Sequence, residues 1–276
     1  MTMSTMQIAG TLGRLARPHY VPRTLLQFRY DAFFLLRLLS GRVLARSPLV
    51  HGFNCNEDSP LIQKLRSVNT IRPTRMCRVM TKYGSDKGRM RHNYTTVYSA
   101  LFASYQDRPL RIFELGLGTN NRDIPSNVGT NGRPSASLRG WRELFPRAFV
   151  YGADIDRRIL FSEDGIAAFY CDQLDQTSIR ELWTLADLAG GMDIIIEDGL
   201  HTFEANVSFL EGSLERVRPG GVYVVEDIRS DTIQKWRTLL ETDYSRRYPA
   251  YEFAFVMLPN LANRQDNNLL VVHRKN

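Results

Sequence analysis

Two acidic pairs in the sequence each follow a run of apolar residues. The segment MDIIIE leads into the pair Glu197–Asp198, and the segment GVYVVE ends in the pair Glu226–Asp227. A histidine, His201, lies three residues after Asp198. Near-continuous apolar runs of this length are typical of strands buried on both faces of a parallel sheet. Since both strands end in carboxylates, we expect their ends to converge on a common ligand.

The chemistry of these side chains predicts a metal site formed by Asp198, Glu226 and Asp227. No basic residue lies beside them in the sequence, so their mutual repulsion should raise their pKa values. A hard divalent cation would relieve that repulsion, and oxygen ligands favour Mg²⁺ or Mn²⁺ over zinc. In the alternative, the acids cap the following helices and His201 is a surface residue. Two acidic pairs and a histidine favour the metal site.

The segment FELGLG, which precedes both acidic pairs, ends another apolar run. Gly116 and Gly118 would let the backbone approach a ligand at the carboxyl edge of the sheet. The third glycine of a dinucleotide fingerprint is absent, so pyrophosphate binding is poorly supported. Glu114, before the glycines, suits a cationic ligand such as the amino group of a methionine-type moiety.

The next two apolar runs also end in polar residues. Asp154 follows YGA and is placed to accept hydrogen bonds from both hydroxyls of a ribose. Asp172 and Gln173 follow the third run, where they could contact an adenine edge. Each residue alone could be a solvated strand end. Three polar strand ends in this order favour a nucleoside site.

The elements that must position these residues form an alternating pattern of strands and helices. Strands are predicted at 110–115, 148–153, 167–171, 192–197 and 221–226, with helical patterns between them. Two further apolar segments, 251–258 and 268–273, have no helix between them and indicate a hairpin. The sequence therefore predicts an α/β fold, with a Rossmann-like, seven-stranded, mostly parallel sheet and an antiparallel C-terminal hairpin.

The positive charge of the chain is concentrated at its N-terminus. Of the net charge of +7, residues 1–50 carry seven arginines and one acid, which leaves +1 for the remaining 226 residues. This basic segment alternates arginines with Leu and Phe clusters, which predicts an amphipathic helical segment. It could pack on the protein or lie on an anionic membrane, and we favour packing. Residues 51–91 are predicted to be a connector with one or two short helices.

The cysteines indicate the cellular compartment of the protein. Cys55, Cys77 and Cys171 show neither a disulfide framework nor zinc-ligand spacing. Reduced thiols are typical of intracellular proteins, so we expect a cytoplasmic protein, peripheral at the inner face of the membrane if residues 1–50 bind lipid.

Several of these segments resemble class I S-adenosylmethionine-dependent methyltransferases. The likeness covers about residues 80–230 and is greater for metal-dependent sugar O-methyltransferases of macrolide biosynthesis, of the mycinamicin type. The segments that carry it are DKG and HNYT within 86–95, FELGLG, SLRGW at Ser137–Trp141, EDGLH at 197–201 and VVED at 224–227.

The resemblance implies a function and a role for each matching residue. Residues 92–276 would form a methyltransferase domain that uses S-adenosylmethionine and Mg²⁺, or Mn²⁺, to methylate a hydroxyl of a sugar or another vicinal diol. Asp198, Glu226 and Asp227 match the metal ligands. His201 matches the general base, with a pKa expected near neutrality. The cofactor site predicted from the strand ends and from these segments together comprises Tyr94, Thr95, Glu114, Gly116, Gly118, Ser137, Asp154, Asp172 and Gln173.

The sequence departs from the family pattern at two places. The loop between Gly118 and Ser137 is long, and Leu200 replaces a serine. We expect a small-molecule or glycan acceptor, a homo-oligomer and no nucleic-acid partner. Two other functions stay open: a non-catalytic nucleoside-binding scaffold in glycan assembly and a nicotinamide-dependent sugar-modifying enzyme. The second requires a glycine triplet near the chain start and a catalytic Tyr-x-x-x-Lys pair, and the sequence lacks the triplet.

Overall fold

The computed structural model describes residues 47–70, 72–88, 91–258, 263 and 265–276. Nearly all of the basic segment 1–50 lies outside these residues. Its predicted helix, and the choice between packing and membrane binding, therefore remain predictions. No described helix is long and apolar enough to cross a membrane.

A nine-stranded mixed sheet forms the centre of the fold. In chain order the strands are β1 Leu49–Phe53, β2 Arg111–Leu115, β3 Phe149–Asp154, β4 Ser162–Glu163, β5 Ile166–Tyr170, β6 Met192–Glu197, β7 Val217–Val225, β8 Tyr251–Met257 and β9 Asn268–Arg274. They are arranged in the order β1-β8-β9-β7-β6-β2-β3-β5-β4. The predicted Rossmann-like, mostly parallel sheet with a C-terminal hairpin is confirmed.

The sheet has two more strands than the sequence predicted, and both lie at its edges. Strand β1 pairs antiparallel with β8, and β4 pairs antiparallel with β5. The burial of β1 is uneven, with Leu49 67% exposed, and β4 has only two residues. Neither forms the continuous apolar run that identified the central strands.

The strand order reverses beside β2. Strands β3 and β5 lie on one side of β2, and the chain then crosses to β6 and β7 on the other side. All five run parallel, so their carboxyl ends lie at one edge of the sheet. In open α/β sheets, ligands bind in the crevice at such a reversal, here between β2 and β6.

Helices cover both faces of the sheet. They are α1 Pro60–Arg66, α2 Arg75–Tyr83, α3 Tyr94–Leu101, α4 Ala136–Leu144, α5 Gln176–Thr184, α6 Phe203–Ser213, α7 Ile233–Leu239 and α8 Ser245–Arg247. Helices α1 to α4 contribute to one hydrophobic core, and α5 to α7 contribute to the other. Successive residues of β2 point to opposite faces: Ile112 lies in the first core and Phe113 in the second.

The connector before β2 brings a charged residue to the carboxyl edge. Helix α2 begins at the cap Thr74, whose side chain accepts a hydrogen bond from the amide of Cys77, and ends at Gly84 with φ +93°. Glycine adopts this left-handed conformation at helix ends without strain. The chain then turns inward, and the amide of Thr95 donates to the carbonyl of Lys87 at 3.2 Å. These contacts hold Lys87 at the ends of the central strands.

Candidate active site

A buried lysine joins the acidic residues at the carboxyl ends of β2, β6 and β7. Lys87 Nζ lies 2.5 Å from Asp198 Oδ2, 2.5 Å from Glu226 Oε2 and 3.5 Å from Glu114 Oε1. Its side chain is only 2% exposed. The two strand ends that the sequence predicted to converge therefore do so, and a cation far from them in the sequence lies between them.

Main-chain hydrogen bonds that continue past the strands fix the acidic residues. The amide of Asp198 donates to the carbonyl of Leu115 at 2.9 Å, and the amide of Glu226 donates to the carbonyl of Glu197 at 2.8 Å. Gly116 has φ +86°, and a Cβ there would lie 1.9 Å from the carbonyl oxygen of Asp198. Only glycine therefore allows β2 and β6 to approach this closely.

His201 lies between two acidic side chains. Its Nε2 is 3.1 Å from Asp198 Oδ1, and its Nδ1 is 3.5 Å from Asp227 Oδ2. His201 and Asp227 have φ values of +60° and +52°. Such backbone conformations of non-glycine residues are strained by about 1–3 kcal/mol and cluster at functional sites.

The other oxygen of Asp227 is held from the opposite side. The hydroxyl of Tyr94 donates to Asp227 Oδ1 at 2.6 Å, and His92 Nδ1 lies 3.3 Å from the same oxygen. The ring of His92 stacks on the ring of Tyr94 with centroids 4.7 Å apart. Asp227 thus has one oxygen facing His201 and one facing the residues before α3.

Two groups of side chains among the described residues have the spacing of metal ligands. One consists of Asp198, His201 and Asp227, and the other of His92, Asp227 and Asp266; within each group the ligand atoms lie within 4.8 Å of one another. Glu226 belongs to neither group, and its two oxygens contact Lys87 and the Tyr98 hydroxyl. Of the three predicted ligands, Asp198 and Asp227 therefore share one candidate centre, and Glu226 remains a predicted ligand with other partners in this structure.

The pKa values of the acidic residues follow their surroundings. Burial and neighbouring carboxylates hold the pKa of Glu226 well above its ordinary value, and burial also raises the pKa of Asp227. These shifts agree with the predicted repulsion. For Asp198 the prediction of a raised pKa is wrong: burial is outweighed by the charge of Lys87 and the contact with His201, which lower it.

The expected near-neutral pKa of His201 is wrong for the metal-free protein. Burial lowers the pKa of the ring, but the hydrogen bond to Asp198 and the charges of Asp227 and Asp198 outweigh burial and raise it to about 10. The two carboxylates therefore favour the protonated form of His201 at neutral pH.

Glu114 is satisfied within the protein. The hydroxyl of Ser137 and the indole of Trp141, both on α4, donate to its two oxygens, the indole at 2.5 Å. Lys87 lies beside one of these oxygens. The predicted cofactor residues Glu114 and Ser137 thus contact each other. Whether they also contact a cofactor stays a prediction.

Asp154 shapes the glycine-containing turn after β2. One of its oxygens accepts the amide of Leu117, and the other accepts the amide of Asp156, both at 2.8 Å. Gly118, in the same turn, has φ +71°. Asp154 therefore lies where sequence reasoning placed it, at the tip of β3, and its hydrogen bonds are with the glycine-containing turn and with Asp156.

Two predicted nucleoside residues follow β5. Gln173 donates from Nε2 to Glu197 Oε1 at 2.6 Å and accepts the amide of Leu200 at 2.8 Å. Asp172 accepts the amide of Leu174 at 2.9 Å, which is an interaction within its own loop. Gln173 thus connects the end of β5 to the loop that carries His201.

The two predicted residues at the start of α3 lie in different surroundings. Tyr94 reaches Asp227, whereas Thr95 is fully buried and its hydroxyl lies 3.0 Å from Cys77 Sγ. Thr95 therefore packs between α2 and α3, and its predicted cofactor role remains a prediction.

Sequence reasoning missed the role of Lys87, although the DKG segment contains it. Lys87 follows Tyr83 at the Tyr-x-x-x-Lys spacing that nicotinamide-dependent sugar-modifying enzymes require. In the structure, Tyr83 lies beside Glu143 of α4, and Lys87 lies among the buried carboxylates. The pair does not share a site, which weakens the nicotinamide alternative.

The role of Asp156 and the contacts of the long loop after Gly118 were also missed. Asp156 accepts hydrogen bonds from Thr119 and Asn121, both at 2.6 Å, and contacts Arg158. Further along the loop, the hydroxyl of Ser126 donates to the carbonyl of Leu200 at 3.2 Å. The loop is therefore tied to both sides of the crevice, and the DID sequence at 154–156 is the signal that could have indicated it.

The fold of the chain is similar to that of solved methyltransferase structures. The MycE methyltransferase from the mycinamycin biosynthetic pathway, solved with Mg and SAH, is similar with a TM-score of 0.55 and 23% sequence identity, over 74% of this chain and 55% of that chain. A second MycE structure, with Mg, SAH and mycinamycin VI, has a TM-score of 0.54 and 21% identity, over 74% of this chain and 54% of that one.

Particular relatives are found by sequence. A tetracenomycin enzyme of Streptomyces olivaceus, 8-demethyl-8-alpha-L-rhamnosyl tetracenomycin-C 2'-O-methyltransferase, is 37% identical over 149 residues, which are 54% of this chain and 36% of that protein. Mycinamicin VI 2''-O-methyltransferase of Micromonospora griseorubida is 32% identical over 148 residues, 54% of this chain and 34% of that protein. The predicted resemblance to sugar O-methyltransferases is confirmed. The chain spans about a third of the length of these relatives, and no protein-family model matches it.

Proposed function

We propose that the protein is an S-adenosylmethionine-dependent, Mg²⁺-dependent O-methyltransferase that acts on a sugar hydroxyl of a glycosylated natural product. The observation that carries this proposal is the convergence of Asp198, Asp227 and His201 beside the glycine-containing turn, in the crevice between β2 and β6. The relatives named above are sugar O-methyltransferases, and the similar MycE structures contain Mg and SAH, which supports the same chemistry here.

The cofactor half of the proposed site is formed by the ends of β2, β3 and β5. S-adenosylmethionine would supply an electrophilic methyl group and leave as the thioether. Gly116 and Gly118 give this turn its left-handed backbone, and Asp154 holds the turn in place. Gln173 extends the same edge toward His201 through its bond with the amide of Leu200.

The chemistry of the donor set fits a magnesium ion. Asp198 and Asp227, with Glu226 as the third predicted ligand, offer the carboxylate oxygens that Mg²⁺ prefers. Glu114, Glu226 and the half-buried Asp198 surround Lys87, so negative groups outnumber the lysine charge. When bound, a divalent cation would lower the pKa of an acceptor hydroxyl near it.

His201 is the residue that we expect to take the proton of the acceptor hydroxyl. In the metal-free protein its pKa of about 10 keeps it protonated, because Asp198 and Asp227 favour the charged ring. Neutralisation of those carboxylates by a cation would remove the cause of the shift and lower the pKa of His201. The histidine would then become a base only in the loaded site.

The proposed function is tested with labelled S-adenosylmethionine and two acceptors, 8-demethyl-8-α-L-rhamnosyl tetracenomycin C and mycinamicin VI. We expect label transfer to a sugar hydroxyl of at least one acceptor in Mg²⁺, and none in EDTA. Equal transfer in EDTA would contradict the metal dependence. Binding of S-adenosylhomocysteine without transfer to these acceptors or to source extracts would favour the non-catalytic scaffold.

We also propose that the protein works as a homo-oligomer and that residues 1–50 pack on protein or on an anionic membrane. Light scattering of the purified chain tests the first proposal, and a monomer at micromolar concentration would contradict it. Sedimentation with anionic lipid vesicles, for the full chain and for a chain that starts at residue 47, distinguishes membrane binding from packing.

A further inference from the structure

Lys87 is the residue around which the acidic edge is organised. Its ammonium group contacts acids from three neighbouring strand ends: Glu114 of β2, Asp198 after β6 and Glu226 after β7. Lys87 lies 111 residues from Asp198 and 139 residues from Glu226 in the sequence, so only the folded chain brings these side chains together.

The contacts divide the oxygens of Asp198 between two partners. Lys87 holds Oδ2, and His201 lies beside Oδ1, which is the oxygen that faces the candidate metal group. Glu226 is held on one oxygen by Lys87 and on the other by the hydroxyl of Tyr98. Lys87 therefore fixes how both predicted metal ligands are presented.

Lys87 retains its charge in this environment. Its ammonium group lies within 3.5 Å of three carboxylate side chains, those of Glu114, Asp198 and Glu226, and close carboxylates favour the charged form of a lysine. A positive charge beside the candidate metal group repels a divalent cation bound there.

We propose that Lys87 is a positioning residue of the metal centre, and that it limits how tightly the centre holds its cation by acting through Asp198 and Glu226. This inference rests on the proposed function. Because the lysine charge offsets part of the negative charge of Asp198 and Glu226, these carboxylates would neutralise a bound cation less completely. More of the cation's charge would then act on the acceptor hydroxyl. Lys87 would therefore lower the affinity of the centre for the metal and raise the reactivity of the acceptor hydroxyl.

The test measures Mg²⁺ binding by calorimetry in saturating S-adenosylhomocysteine. Lys87→Met should bind Mg²⁺ roughly tenfold tighter than the wild type, because a repelling charge is removed, and should methylate its acceptor more slowly at saturating Mg²⁺. The matched control is Lys82→Met. Lys82 also lies 2.5 Å from a carboxylate, that of Glu143, but it is 62% exposed and its ion pair is with a residue outside the acidic edge, so its removal should change neither quantity.

A purely structural lysine predicts the opposite sign. If Lys87 only held the strand ends together, Lys87→Met would bind Mg²⁺ more weakly or equally well, and either result would overturn the inference. A wild type that binds no Mg²⁺ would instead refute the metal dependence of the proposed function. The two failures are therefore distinguishable.

A second variant keeps the inference testable if Lys87→Met does not fold. Glu114→Gln removes a negative charge that contacts Lys87 while its amide oxygen can still accept a hydrogen bond from α4. Measured without S-adenosylhomocysteine, it should bind Mg²⁺ severalfold more weakly, since Lys87 is then less compensated. Unchanged or tighter binding would overturn the inference. A Lys87→Met protein that folds only in Mg²⁺ would support it, because the cation replaces the missing charge.

Discussion

The acidic residues at the carboxyl edge of the sheet have different partners in its two halves. At the ends of β3 and β5, Asp154 accepts the amides of Leu117 and Asp156, and Asp172 accepts the amide of Leu174. At the ends of β6 and β7, Asp198 and Asp227 face His201, and Glu226 faces Lys87. In the first half the protein itself satisfies the carboxylates, whereas in the second they compete for a few cationic side chains.

This difference indicates what each half can do. A carboxylate that accepts two amides, as Asp154 does, fixes the shape of a turn around an uncharged part of a ligand. Carboxylates that are buried together, such as Glu226 and Asp227, have raised pKa values and gain most from an added cation. We therefore expect substitutions in the two halves to affect different ligands.

The largest effect is expected for Asp198→Asn. The variant loses a charged oxygen that faces the candidate metal group, and turnover in Mg²⁺ should fall by roughly 10³-fold or more, since metal activation supplies several kcal/mol. Binding of S-adenosylhomocysteine should change little, because the cofactor half is intact. Label transfer and calorimetry on the same preparation measure both quantities. Full activity of the variant in EDTA would exclude Asp198 as a ligand.

A somewhat smaller effect is expected for His201→Ala. If His201 removes the proton, turnover should fall by roughly 10²- to 10⁴-fold, with cofactor affinity unchanged. The measurement is the rate at saturating Mg²⁺ and cofactor. A rate within a few-fold of the wild type would mean that His201 is a structural residue at the start of α6.

The stability of the metal-free protein should depend on Glu197. This buried carboxyl has an unpartnered Oε2, and burial raises its pKa to about 7 from 4.5. Between these pH values the folded state binds a proton that the unfolded state has lost. Stability should therefore fall as pH rises from 4.5 to 7, by on the order of 3 kcal/mol, and then stay low.

Glu197→Gln removes that titration while keeping an oxygen that can accept from Gln173. Urea unfolding in EDTA at several pH values should show a smaller pH dependence for the variant than for the wild type. If the free energy of unfolding changes with pH in the same way in both proteins, Glu197 does not hold the proton.

The smallest effect is expected in the cofactor half, for Asp154→Ala. The variant loses the two amide contacts that shape the glycine-containing turn and the predicted bonds to the ribose hydroxyls. Cofactor binding should weaken by about 1.5–3 kcal/mol per charged hydrogen bond lost, with Mg²⁺ binding preserved. An unchanged dissociation constant for S-adenosylmethionine would refute the assignment.

The sequence predicted the central strands because each is a continuous apolar run between turn residues. The run 192–197 coincides with β6, and the polar ends of β2, β3, β6 and β7 do lie at one edge. The edge strands β1 and β4 were missed because an edge strand is short and partly exposed, so no periodic signal marks it.

Part of the site could not be predicted from local sequence. Lys87 acquires its role only when α2 and α3 pack beside the sheet and bring it to strand ends more than 100 residues away. The lowered pKa of Asp198 and the raised pKa of His201 follow from that packing. A pattern read along the chain identifies the carboxylates, but the cations that compensate them depend on the fold.

The central claim is that the ends of β6 and β7 hold a divalent cation beside a separately formed cofactor site. It is tested most directly by calorimetric titration of Mg²⁺ into wild type and Asp227→Asn, each saturated with S-adenosylhomocysteine. The account predicts one Mg²⁺ per chain in the wild type and none in the variant, with equal S-adenosylhomocysteine affinity in both. Equal Mg²⁺ binding by the two proteins, or none by the wild type, would contradict it.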